Sequence, residues 1–142
     1  MIAAGLALFL CLGFASEAQA SESPTVHPRQ NTYMKREWGV EVLFVRQTSA
    51  GYMLEFRYKV LDPEKAKPLF ERQTKPMLTH DESGSRMIVP TPAKTGALRN
   101  SNTPLAGHTY WMFFANPGKL VDQGDQVSIE IGEFRVEGLV VK

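Results

Sequence analysis

His80-Asp81, followed by Ser83 and Ser85, is the stretch whose residue types come nearest to chemistry. An imidazole, a carboxylate and a hydroxyl are the parts of a nucleophilic triad, in which the acid must orient the base. On a strand, however, neighbours in sequence point to opposite faces, so His80 and Asp81 cannot orient each other. The stretch reads instead as a solvated turn. No Gly-x-Ser-x-Gly elbow, phosphate loop, dinucleotide fingerprint or His-Glu-x-x-His pair occurs in the chain. The sequence selects no reaction, and the expectation is a protein that is not an enzyme.

Metal ligation is the next chemistry to weigh. His27, His80 and His108 are the histidines, and Met34, Met53, Met77, Met87 and Met112 are the methionines beyond the first residue. Thioether and imidazole together suit Cu(I), and His80, His108 and Met53 are the residues a copper site would use. Met53 enters that set because it falls on the charged side of its strand. No Met-x-Met or Met-x-x-Met cluster is present, so methionine as core filler is the simpler reading. Asp81-x-Ser83-Gly84 lacks the alternating acids and distal glutamate of a calcium loop.

A binding surface has better support. Tyr110-Trp111-Met112-Phe113-Phe114 is apolar on both faces of a strand. With Tyr110, Met112 and Phe114 turned inward, Trp111 and Phe113 point outward, and such side chains commonly anchor interfaces. Between Glu82 and Asp122 there is no acidic residue, and Lys94, Arg99 and His108 lie in the segment leading to this strand. Together they predict an aromatic patch rimmed by positive charge, facing a protein partner or a second copy. The competing expectation is that the long Pro90–His108 loop folds over this face and buries it.

The elements that position these residues are read from periodicity. Tyr52, Leu54, Phe56, Tyr58 and Val60 alternate with Met53, Glu55, Arg57 and Lys59. That period of two describes a half-buried strand. Trp38 to Gln47 forms the strand before it, joined by the turn Ser49-Ala50-Gly51, whose last residue suits the left-handed region. The predicted register pairs Val40 with Val60, Val42 with Tyr58 and Phe44 with Phe56. On the outer face it sets Glu41 against Lys59 and Val45 against Glu55. Asp62-Pro63-Glu64 opens one short helix, which Pro68 curtails. Pro76–His80 and Arg86–Val89 form a second hairpin. Gly132-Glu133 turns a third, pairing Ile131 with Phe134, Ile129 with Val136 and Glu130 with Arg135. The fold class predicted is all-β: an immunoglobulin-like antiparallel β-sandwich of about seven strands with one short helix, a small closed barrel being the alternative.

Residues 1–20 read as a signal peptide: Ile2 to Ala15 is almost wholly apolar, and Ala18-Gln19-Ala20 is a small-x-small cleavage pattern. The run is short of the ~20 residues that span a bilayer, so no membrane span is expected after cleavage. No Lys or Arg precedes it, which leaves an uncleaved anchor as the alternative. Cys11 follows Leu10, where lipidation wants a small residue, and no cysteine remains after cleavage. Residues 21–32 read as a flexible leader and 33–142 as the β-sandwich domain. The net charge of +1 gives no general attraction to nucleic acid.

Three pieces of the chain resemble stretches of exported bacterial β-sandwich proteins of unassigned function. They are Trp38-Gly-Val-Glu-Val-Leu43, Tyr52-Met-Leu-Glu-Phe-Arg-Tyr-Lys-Val-Leu-Asp-Pro-Glu-Lys-Ala66 and Phe114-Ala-Asn-Pro-Gly118. The resemblance implies export and a β-sandwich, and carries no functional motif. The expectation is thus a periplasmic or secreted binding or accessory module acting through protein–protein interaction. Its site would be Trp111, Phe113, Lys94, Arg99 and His108, and periplasmic copper binding is the alternative.

Overall fold

The computed structural model describes residues 25–142. The expected signal peptide and residues 21–24 lie outside the described residues. The described chain runs α1 (Pro28–Trp38), β1 (Val40–Thr48), β2 (Met53–Val60), α2 (Pro63–Ala66), β3 (Met77–His80), β4 (Arg86–Ile88), β5 (Thr109–Ala115), β6 (Gln126–Ile131) and β7 (Phe134–Val140), with short 3₁₀ turns between. The strands form two antiparallel sheets, ordered β1-β2-β5 and β4-β3-β6-β7. No described helix is long and apolar enough to cross a membrane.

The alternation along β2 buries Leu54, Phe56, Tyr58 and Val60. On β5, Tyr110, Met112 and Phe114 turn the same way, and Leu78, Ile129, Phe134 and Val136 of the second sheet complete the core. Tyr58 stacks on Phe56 with ring centroids 5.2 Å apart. Tyr52 departs from the expected pattern: it precedes β2, stands exposed and carries Lys119 over its ring. Asp62 caps α2 by accepting from the amides of Glu64 and Lys65, and the chain continues through a 3₁₀ turn at Lys67–Phe70.

The β1–β2 hairpin follows the predicted register from Val40–Val60 to Val42–Tyr58 and then departs from it. A bulge at Leu43 pairs Phe44 with Arg57, Val45 with Phe56 and Arg46 with Glu55. Val42 and Val45 can then both enter the core, and Phe44 moves to the outer face. The turn also differs: Ser49 and Ala50 join Gly51 at positive φ. The β6–β7 hairpin has the predicted pairs, with Gly132 at positive φ.

The expected leader is the main correction. Thr25 and Val26 are buried, and Pro28–Trp38 is an 11-residue helix. Pro28 sits in its first turn, and Trp38, read as strand, is its last residue. The helix holds because Met34 enters the core and Trp38 packs edge-on against Phe134 at 5.6 Å. Gly39 ends the helix at φ +63°, and a Cβ there would lie 2.7 Å from Asp62. Its carbonyl accepts from the amides of Leu61 and Asp62, tying the helix end to the end of β2.

Candidate functional site

The outer face of the three-stranded sheet is built from two cross-strand rows. The pleat of β2 turns Glu55 and Arg57 outward, and that of β5 turns Trp111 and Phe113 outward. The bulge brings β1 into line with them. One row reads Phe44–Arg57–Trp111 and the next Arg46–Glu55–Phe113.

Glu55 lies at the centre and is only 2 % exposed, although it faces away from the core. Arg46 Nε donates to its Oε2 at 2.6 Å, and Arg57 Nη2 donates to its Oε1. Both guanidinium groups stack over the Phe44 ring, at 5.0 Å and 5.9 Å from its centroid. Trp111 and Phe113 pack on each other at 5.2 Å. Burial of the carboxylate strengthens both ion pairs and holds the arginines against the aromatic surface. One negative charge meets two positive ones, so the cluster keeps a net positive charge.

The residues expected from sequence divide sharply. Trp111 and Phe113 are half-buried on this face, while Lys94 and His108 are exposed in the loop before β5. Arg99 is turned away: it is 8 % exposed, and its guanidinium donates to the carbonyls of Thr74 and Leu69. The positive charge beside the aromatics therefore comes from Arg57, already expected on the outer side of β2, and from Arg46, which the predicted register had hidden. At residues 98–100 the long loop lies in the plane of the sheet. Phe113 N–H donates to Leu98 O at 2.9 Å, and Asn100 exchanges bonds with the Trp111 backbone. There it satisfies the free edge of β5 instead of crossing the outer face.

The copper set does not assemble. Met53 pairs with Ala115 at one end of β2, and Val60 N–H donates to His108 O at the other. Seven residue steps along β2 separate the two ends by about 23 Å, at ~3.3 Å per residue. His80 sits in the other sheet, buried, with Nδ1 2.7 Å from Ser83 Oγ and Nε2 3.0 Å from Asp125 Oδ2. Glu82 and Asp125 bring carboxylate oxygens to the same place, all three ligand atoms lying within 4.8 Å of one another. Asp81 points elsewhere, accepting from Ser128 Oγ at 2.8 Å.

Sequence reasoning separated His80 from Asp81 but missed Asp125, which lies 45 positions away. No local signal links them; the β3–β6 pairing does. The Asp125 carboxyl is held below the usual carboxylate range, first by the Asp122 N–H and then by His80. The Ser83 hydroxyl also accepts from its own turn at Ser85 N–H, so the array braces the β3–β4 turn against the segment before β6.

No protein-family model, no curated protein and no solved structure matches the chain.

Proposed function

We propose that the chain is an exported, non-catalytic binding module of the immunoglobulin-like sandwich type, acting in the periplasm or outside the cell. The strand order supports the architectural part. A constant-type immunoglobulin sandwich groups its first, second, fifth and fourth strands against its third, sixth and seventh. Here only the fourth strand changes sides, to give β1-β2-β5 against β4-β3-β6-β7. Export rests on the apolar N-terminal segment and its cleavage pattern.

The observation that carries the binding reading is the Arg46–Glu55–Arg57 clamp beside Trp111, Phe113 and Phe44. Tryptophan and arginine are the residue types that dominate interface energetics. Pre-ordering the arginines lowers the entropic cost of engaging a partner. The net positive charge specifies that partner as a protein surface carrying carboxylates near its own apolar contact. The test compares capture of exported proteins by wild type and Trp111→Ala, alongside their thermal transitions. Capture that is salt-sensitive and lost in a variant with an unchanged transition supports the reading. Unfolding of Trp111→Ala, or capture unaffected by it, overturns the reading.

Metal handling is the second reading, and the His80–Glu82–Asp125 cluster favours it. One imidazole and two carboxylates suit Zn²⁺ better than Cu(I). Equilibrium dialysis with Zn²⁺ alone tests it: stoichiometric uptake lost in Glu82→Gln supports the reading, and absent uptake rules it out.

A further inference from the structure

Arg99 is a buried cation without a counter-charge. Its guanidinium makes two hydrogen bonds, both to backbone carbonyls, and its Nε is buried with no partner. Among the described residues, every ion pair uses other cations. The nearby acidic group, Tyr58, cannot supply the charge, because burial pushes its hydroxyl well above its ordinary pKa and keeps it neutral. Charges taken out of water are normally paired. Arg99 has no such partner among the described residues, and the residue lines a cavity.

That cavity measures about 470 Å³ and opens between the segment before β3, strand β4 and the long loop. Arg72, Lys75 and Thr91 line it together with Arg99, and Ile88 and Val89 are among its apolar lining residues. A second cavity of about 360 Å³ shares Arg72 and Arg99. Ile88, Val89, Thr91, Ala97 and Arg99 of its wall belong to the acid-free stretch between Glu82 and Asp122, and among the described residues no acidic one lines the cavity. Ile88 is 60 % exposed, an apolar side chain left at the cavity wall.

We infer that this cavity is a binding site for a small amphipathic organic anion, whose acidic group meets Arg99, Arg72 and Lys75 and whose apolar body lies against Ile88 and Val89. The size is that of small-molecule pockets, and a few polar groups on an apolar wall is their usual chemistry. The carbonyls of Leu69 and Thr74 fix the guanidinium in place without neutralising it. This site is separate from the Trp111 face.

The test is calorimetric titration of the full chain with octanoate, 1-octanol and inorganic phosphate. Octanoate is expected to bind once per chain, with phosphate competing and octanol binding at least about tenfold more weakly, the value of a lost charge-assisted bond. Arg99→Gln is a poor sole probe because the residue is buried, so the deciding variants are on the wall. Ile88→Asp, which adds a like charge to the ligand, and the pair Arg72→Gln with Lys75→Gln should each weaken octanoate about tenfold or more. Trp111→Ala should leave it unchanged. Absence of octanoate binding, equal binding of octanol, or wild-type affinity in the wall variants would overturn the inference.

Discussion

The side-chain amide of Asn31 makes with Val42 both hydrogen bonds that a neighbouring strand would make. Its Oδ1 accepts from Val42 N–H at 2.9 Å, and its Nδ2 donates to Val42 O at 3.1 Å. Gln30, with its amide oriented to satisfy both groups, treats Glu137 of β7 in the same way. Helix α1 thus spans the gap between the two sheets, with Met34 beneath it in the core.

Asn31→Leu removes both bonds to Val42 and should cost about 2 kcal/mol, since two partly buried backbone groups lose their partners. Asn31→Asp keeps the acceptor and should cost less. Urea unfolding midpoints of the two variants measure the difference, and equal midpoints would contradict the assigned bonds.

Glu55→Ala should destabilise the domain by about 2 kcal/mol, because it leaves the guanidinium groups of Arg46 on β1 and Arg57 on β2 side by side without their shared carboxylate. Arg46→Ala should cost less than about 1 kcal/mol, since that side chain is half in solvent and Arg57 still pairs the carboxylate. The order of the two costs is what matters, and denaturant titration gives it.

Acid should weaken the His80–Asp125 contact. The folded pKa of Asp125 lies below its unfolded value of about 4, so the folded state holds that proton less readily. The stabilisation is full above the unfolded value and is lost as pH falls through the folded one. Wild type should therefore exceed Asp125→Asn in stability at neutral pH, and the gap should narrow below pH ~4. A gap constant with pH in urea titrations would refute the assignment.

Ala50 adopts φ +55° in the β1–β2 turn, a region costly for a residue with a Cβ. Ala50→Gly relieves that cost but frees the unfolded chain, for a net gain of about 0.5 kcal/mol. A rise in the thermal midpoint checks it.

What the sequence made legible was whatever a local pattern fixes. The β2 alternation, the Asp62 cap and the Gly132-Glu133 turn each depend on a few adjacent residues, and each appears in the structure. The bulge at Leu43 did not show, because Val40 to Val45 holds apolar residues enough for either register. With it went Arg46 and Phe44, the two residues that β1 gives to the candidate face. Helix α1 was hidden by polarity: Met34 and Trp38 give it only one apolar pair at helical spacing. Pro28 and Gly39 were its visible boundaries and could have marked it. Arg99 was read as surface charge because sequence alone does not tell a rim from a cavity wall.

The position of α1 has a consequence for how copies of the chain behave toward one another. Val42 and Glu137 lie on strands whose outward peptide groups would otherwise stand ready to template another chain. A helix that occupies both is a guard against intermolecular sheet growth, and one held mainly by Met34, Trp38 and two amides. Conditions that detach it, while leaving the sheets folded, should turn a well-behaved domain into one that polymerises by strand addition. The polar segment ahead of β1 therefore governs colloidal fate as much as stability.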